Sequence, residues 1–265
     1  TTAARLFDRF PKLQTDVINA DPDGININDR CGSTHMDGLA AMVKAGGYDI
    51  GIAFDGDADR CLAVDEQGNL IDGDQIMAAC GLDRKKRGIL PQNTIVATVM
   101  SNLGLHMFAQ EHSLNLECTD VGDRNVLEKM LERGYALGGE QTGHMIFRDY
   151  ATTGDGQLTA MQVLALLKES GKKASELFGA CARYPQVLIN VPVADNDVKK
   201  AVMANPALWE AVKAEEEKLA GSGRILVRPS GTEALMRVMV EAKTEEAAQQ
   251  AARRLADRIP SLAEG

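Results

Sequence analysis

Three aspartates at alternate positions, Asp55, Asp57 and Asp59, stand in the run Asp55-Gly56-Asp57-Ala58-Asp59-Arg60, directly after the apolar stretch Tyr48-Asp49-Ile50-Gly51-Ile52-Ala53-Phe54. On a loop loosened by Gly56, three carboxylates can converge on one hard divalent cation, and an all-oxygen set favours Mg²⁺ or Ca²⁺ over zinc. Loops at the carboxyl ends of parallel strands are where open α/β sheets place their ligands. A solvated acidic turn is the plainer alternative, and Asp21-Pro22-Asp23-Gly24 reads as one. An EF-hand loop is another, since Glu66 is the twelfth residue counted from Asp55. That reading fails because Arg60 occupies the sixth position, where glycine is needed, and because the flanks read as strands.

Gly138-Gly139-Glu140-Gln141-Thr142-Gly143-His144 gathers a carboxylate, an amide, a hydroxyl and an imidazole between glycines. Such neighbouring donors and acceptors can hold adjacent hydroxyls of a sugar ring in a fixed fork. A polar hairpin turn with a solvated Glu140 is the alternative. Arg228-Pro229-Ser230-Gly231-Thr232-Glu233, with Arg237 beyond it, offers an arginine fork, two hydroxyls and N–H groups freed by Gly231. That cradle suits phosphate, although Pro-Ser-Gly is also a common turn. Val121-Gly122-Asp123-Arg124 opens a helix, where Arg124 can meet a phosphate or substrate, or Asp123 can simply cap the helix. Gly154-Asp155-Gly156 reads as the cap of a long helix, and His35, His106 and His112 read as surface or packing residues. The sequence holds no P-loop, dinucleotide, zinc-protease or nucleophile-elbow signature.

The elements that must position these groups alternate between the two hydrophobic periods. Helices are expected over residues 3–10, 36–45 (capped by Ser33 or Thr34), 75–84, 103–111, 125–133 and 157–169. Strands are expected over 17–20, 48–54, 61–64, 70–71, 94–100, 114–119, 135–137 and 144–147. The fold class this predicts is α/β, with mostly parallel mixed sheets and helices on both faces in two α/β domains. The rhythm changes near Tyr184-Pro185. A small α+β C-terminal domain follows: a strand over 187–193, a charged helical stretch to 219, strands over 224–227 and 235–241, and a helix over 244–259. Domain boundaries fall near 71–74 and 183–186.

With 45% hydrophobic and 25% charged residues, the 265-residue chain is neither disordered, collagenous nor membrane-embedded. Its longest apolar runs are strand-sized, well below the ~18 residues of a membrane span. The 29 Lys and Arg against 38 Asp and Glu give a net charge of −9. That balance repels nucleic acid and anionic membranes, so neither is expected as a partner, and an anionic substrate needs a local basic pocket or a bound cation. Five cysteines without a C-x-x-C pair (Cys31, Cys61, Cys80, Cys118 and Cys181) read as reduced, buried thiols of a cytoplasmic protein. The sequence opens inside an apparent helix with no initiator Met, the pattern expected of a fragment.

In this order, DGDADR, VGDRNVLEKM, GGEQTGH, TTGDG and RILVRPSGTEALMRVMVEA resemble the α-D-phosphohexomutase superfamily, and the likeness extends to Asp23-Gly24-Ile25-Asn26-Ile27-Asn28 and Asp72-Gly73-Asp74-Gln75-Ile76-Met77. The resemblance covers essentially the whole chain and is nearest to the bacterial branch acting on glucosamine phosphates. It implies four-domain enzymes around a central cleft, of which this chain supplies domain 2 from within (1–73), domain 3 (74–184) and domain 4 (185–265). It further implies Mg²⁺ on Asp55, Asp57 and Asp59, sugar hydroxyls on Glu140 and Thr142, and a phosphate loop of Arg228, Ser230, Gly231 and Thr232 with Arg237 close by. Arg60 and His144 are then the catalytic candidates, Arg60 pairing with an anionic oxygen and His144 shuttling a proton, while Asp123 and Arg124 contact substrate.

The implied reaction interconverts glucosamine 6-phosphate and glucosamine 1-phosphate through a phosphoserine and a 1,6-bisphosphate, in a cytoplasmic enzyme compatible with a homodimer. Sister mutases of glucose or mannose phosphates, and a non-catalytic sugar-phosphate-binding module, are the alternatives. The superfamily's phosphoserine sits in a Ser-His-Asn-Pro loop that this sequence does not contain, so the chain alone is expected to be inactive. Ala58, Thr142 and Ala234 stand where the family often has Gly, Ser and Pro.

Overall fold

The computed structural model describes residues 2–263, which form two compact units. The first holds the described residues up to Ser101 and Leu105–Ala182; the second holds Asn102–Gly104 and the described residues from Arg183 onward. Among the described residues no helix is long and apolar enough to cross a membrane.

The first unit opens with helices α1 (Thr2–Phe7) and α2 (Asp37–Gly46). Strands β1 (Ile50–Phe54), β2 (Cys61–Asp65) and β3 (Leu70–Ile71) then form an antiparallel sheet in that order. Phe54 pairs with Cys61, so the acidic run is the connecting loop of a hairpin. Residues 55–60 are too few for a parallel crossover, which needs a dozen or more.

Helix α3 (Gly73–Lys86) starts on a capping box in which Asp72 accepts from the Gln75 N–H and Gln75 reaches back to the Asp72 N–H. Strands β4 (Thr94–Thr98), β5 (Asn115–Thr119), β6 (Leu137–Gly139) and β7 (Met145–Phe147) follow, linked by helices α4 (Leu103–Glu111) and α5 (Asp123–Arg133). They form one sheet in the order β5-β4-β6-β7, parallel except for the β6–β7 hairpin. Among the described residues, parallel pairing is thus confined to this sheet. Every residue of β4 is buried, as a strand covered on both faces requires. A core of Ile76, Met77, Ile95, Leu105, Phe108, Leu137 and Phe147 lies on one face and includes Ala63 and Ile71 of the first sheet. Val126 and Met130 of α5 pack with Val96 and Ile146 as a separate cluster. Helix α6 (Gly156–Ser170), capped by Asp155, and the short α7 (Ala174–Phe178) complete the unit.

In the second unit, β8 (Gln186–Pro192), β9 (Gly223–Pro229) and β10 (Leu235–Ala242) form an antiparallel sheet in the order β8-β10-β9. Helices α8 (Asn196–Ala204), α9 (Pro206–Lys218), α10 (Glu245–Ala256) and α11 (Ile259–Ala263) accompany it. Val202, Leu208, Val238, Val240, Ala248, Ala252 and Leu255 share its core.

Several expectations need correction. Residues 17–20 are not a strand, and Val17 and Ile18 are exposed. Neither Ser33 nor Thr34 caps α2, whose N-cap position is Met36 without a side-chain bond. The charged stretch is two helices, because Asn205 caps a new one with Pro206 in its first turn. The expected last helix is α10, which ends at Ala256, and a separate short helix, α11, begins at Ile259. Only Cys61, Cys80 and Cys181 are buried; Cys31 is half-buried and Cys118 exposed, and among the described residues none of the five is in a disulfide.

Candidate active site

At the tip of the β1–β2 hairpin, Asp55, Asp57 and Asp59 each offer a carboxylate oxygen within 4.8 Å of the others. The loop is folded by its own main chain: the Ala58 N–H donates to the Asp55 carbonyl, and the Arg60 N–H donates to Asp55 Oδ1 at 3.2 Å. Ala58 takes the left-handed conformation (φ 59°), which explains why glycine suits this position. Burial, then the charges of Asp59 and Asp57, pushes the Asp55 carboxyl above its usual value. Arg60 Nε offsets this charge only in part, at 3.6 Å from Asp55 and 3.8 Å from Asp59. Asp59 Oδ1 is shielded from solvent and takes no hydrogen bond among the described residues. Oxygen donors short of positive charge fit a hard divalent cation. The EF-hand alternative fails structurally as well: the flanks are strands, and Glu66 is committed to Ser175.

The glutamate turn joins β6 to β7. The Glu140 N–H donates to the His144 carbonyl and the Gly143 N–H to the Glu140 carbonyl, closing a tight loop. Glu140 Oε1 accepts from the Gly122 N–H at 3.2 Å, just before α5, and Thr142 Oγ1 lies 3.5 Å from Glu140 Oε2. Gln141 is turned away from this edge, donating to Asp72 at 3.3 Å. Close approach dictates the glycines. A Cβ on Gly138 would stand 2.9 Å from the Val96 carbonyl oxygen, and one on Gly143, itself at φ 94°, would stand 2.5 Å from that of Cys61.

The two loops are fastened together. Arg60 and His144 form an antiparallel bridge, and the Cys61 N–H donates to the Gly143 carbonyl at 3.0 Å. His144 is buried, at 4% exposure. Its Nε2 accepts from the Gly154 N–H at 3.1 Å, and its Nδ1 lies 3.1 Å from Asp59 Oδ2. With Nε2 an acceptor, the ring proton belongs on Nδ1, where it donates to Asp59. Both ring nitrogens are thus engaged by the protein, one by Gly154 and the other by Asp59. Asp123 does not cap α5, whose N-cap is Gly122; its Oδ2 comes within 4.0 Å of His144 Nε2. Arg124 is exposed and paired with Glu128 at 2.7 Å.

In the second unit, Arg228 on β9 and Arg237 on β10 are direct cross-strand partners. Like charges so placed repel. Burial, then the charge of Arg237, lowers the pKa of Arg228, which has no ion-pair partner among the described residues. Arg237 does pair with Glu233, at 3.0 Å. The intervening turn is shaped by the Ser230 N–H donating to the Leu235 carbonyl and the Glu233 N–H donating to Ser230 Oγ at 3.2 Å. Gly231 and Thr232 are exposed, and their N–H groups have no acceptor among the described residues. Two crowded guanidiniums beside free N–H groups and hydroxyls describe an anion cradle.

The sequence reading missed two features. Gly154 does more than precede the cap of α6: a Cβ there would stand 2.3 Å from His144 Cε1. Lys199, buried at 6% exposure, donates to the carbonyls of Ser230 and Glu233. Neither carries a local signal, because each acts on a residue distant in sequence. The TTGDG run is the nearest thing to one.

Three family models match the chain. They are phosphoglucomutase/phosphomannomutase alpha/beta/alpha domain II over residues 9–68, alpha/beta/alpha domain III over 72–184, and the C-terminal domain over 188–258. Phosphoglucosamine mutase of Ruminiclostridium cellulolyticum is 58% identical over 91% of the chain and 53% of its own length. Those of Ligilactobacillus salivarius and Geobacillus kaustophilus are 52% and 51% identical, over 93% and 94% of the chain and 54% and 55% of their own lengths. The chain therefore spans about half the length of the curated relatives it matches. Among solved structures, Aspergillus fumigatus N-acetylphosphoglucosamine mutase in complex with GlcNAc-6P and magnesium shares the fold with a TM-score of 0.71 at 23% identity, over 89% of this chain and 54% of that one. A phosphoglucomutase/phosphomannomutase family protein of Burkholderia thailandensis gives 0.68 at 22% identity, over 88% of this chain and 50% of that one.

Proposed function

Because the chain belongs to the phosphoglucomutase/phosphomannomutase family, we propose that it carries the cation, sugar and phosphate sites of an enzyme interconverting glucosamine 6-phosphate and glucosamine 1-phosphate. The observation that carries this reading is its high identity to curated phosphoglucosamine mutases over nine-tenths of the chain. Domain 2 runs to residue 73, domain 3 from 74 to 184 and domain 4 from 185 onward, and the protein works in the cytoplasm.

Magnesium, held by Asp55, Asp57 and Asp59, would offset charge on the phosphoryl group in transit. Little covalent chemistry falls to the remaining residues, so positioning and charge carry the rate. Arg60, flanking the acidic loop, pairs with an anionic oxygen of that group. Glu140 and Thr142 hold neighbouring sugar hydroxyls, with Asp123 and Arg124 beside them. Arg228, Ser230, Gly231, Thr232 and Arg237 hold the phosphate that is not reacting. His144 keeps Asp59 in place. The phosphoserine donor expected from the resemblance is not among these 265 residues.

The test is calorimetric titration of the chain, in Mg²⁺, with glucosamine, glucose and mannose 6-phosphates. Preference for the glucosamine ester is expected; preference for mannose would overturn the assignment. Assay of the complete reading frame separates an enzyme from a binding module, which would bind without turnover.

A further inference from the structure

Beneath the turn between β9 and β10 lies a buried lysine. Lys199 lies on α8, whose first turn is fixed by Asp195 accepting from the Asp197 and Val198 N–H groups, both at 2.9 Å. The lysine side chain passes inward, and its Nζ donates to the Ser230 carbonyl at 2.8 Å and the Glu233 carbonyl at 2.9 Å. Those two carbonyls bracket Gly231 and Thr232. Among the described residues no carboxylate lies within ion-pair distance of Lys199.

A buried ammonium with only carbonyl partners is costly. Lysine in such a place usually brings a carboxylate with it. Here its charge stays uncompensated beneath a turn that already carries Arg228 and Arg237 as facing partners. The arrangement has two consequences. Drawing both carbonyls inward leaves the Gly231 and Thr232 N–H groups as the turn's unspent donors. The third positive charge, on a buried side chain, also adds to the field at the turn.

We propose that Lys199 is a positioning residue for anion capture, holding the 230–233 turn in its phosphate-receiving form and adding its charge from behind. This rests on the reading of that turn as a phosphate site.

The experiment measures binding of inorganic phosphate to the full chain by ³¹P NMR, for the parent, Arg228→Ala, Lys199→Met and Lys199→Gln. Lys199→Met is expected to weaken phosphate roughly tenfold, corresponding to the loss of one nearby charge and its anchoring bonds. Lys199→Gln, which keeps two N–H donors without charge, is expected to fall between it and the parent. Amide exchange at Gly231 and Thr232 should quicken in Lys199→Met. Divalent-cation affinity at the aspartates should not change in either variant. If Lys199→Met fails to fold, Lys199→Gln carries the test by the same readout. Parent-like phosphate affinity in the folded lysine variants, with only the melting temperature lowered, overturns the proposal while Arg228→Ala still loses phosphate. If Arg228→Ala also binds like the parent, the phosphate reading of the turn itself is what fails.

Discussion

His144 Nδ1 lies 3.1 Å from Asp59 Oδ2, while the opposite nitrogen of the same ring accepts from the Gly154 N–H at 3.1 Å. A main-chain donor thus sets the tautomer, and the tautomer sets the carboxylate. Outer partners of this kind are worth about 10- to 100-fold in metal affinity. His144→Gln is expected to weaken Mn²⁺ binding within that range, read by electron paramagnetic resonance. Gly154→Ala should do the same through the clash of its Cβ with the ring, 2.3 Å from Cε1. Unchanged affinity in both variants would show that Asp59 needs no such support.

Three mutually repelling carboxylates stand at one hairpin tip, so the first unit is expected to be sensitive to cation. At 100 times its dissociation constant, Mg²⁺ is expected to stabilise the folded chain by about 2.7 kcal/mol. EDTA should reverse the gain, and Asp57→Asn should lessen it. Thermal melts at several Mg²⁺ concentrations check this.

Ala58 occupies a left-handed backbone conformation at φ 59°, and its carbonyl accepts from the Gly156 N–H at 2.9 Å. A Cβ in this region costs about 1–2 kcal/mol, partly balanced by glycine's greater freedom when unfolded, so Ala58→Gly should stabilise by about 0.5 kcal/mol. Urea unfolding measures the difference. A loss of stability would mean that the loop gains from the alanine side chain.

Glu215 on α9 receives two hydrogen bonds from Arg254, at 3.0 and 2.8 Å, and one from Lys218 at 2.7 Å. The Arg254 bonds lead in holding its carboxyl below the usual value, against the opposing effect of burial. A lowered carboxyl pKa stabilises the fold above the ordinary carboxylate range and loses that contribution as pH falls through the folded value. The stability gap between the parent and Arg254→Ala should therefore be full at neutral pH and narrow under acid. Trp209, the single tryptophan, also lies on α9 and reports the transition by fluorescence. A gap independent of pH would assign the loss to packing of the arginine stem.

Much of the site was legible because its chemistry is local in sequence. Asp55, Asp57 and Asp59 fall within five residues, and Arg228 to Thr232 likewise. The hairpin setting of the acidic loop was also within reach, since six intervening residues forbid a parallel crossover. Gly154 behind His144 and Lys199 behind Ser230 were not. Each contact joins residues separated by at least ten positions and is created by packing alone. Residues 17–20 misled in the other direction: an apolar pair suggested a strand where the structure has none.

The acidic loop, the glutamate turn and the starts of α3 and α6 are tied to one another through peptide groups. Cys61 donates to Gly143, Gly156 to Ala58 and Gly73 to Gln141. Those ties use atoms that nearly every amino acid possesses, so the scaffold retains its outline when the side chains around it are exchanged. Side chains around these loops can therefore be exchanged with the ties intact, provided that the glycines admitting the close approaches are kept.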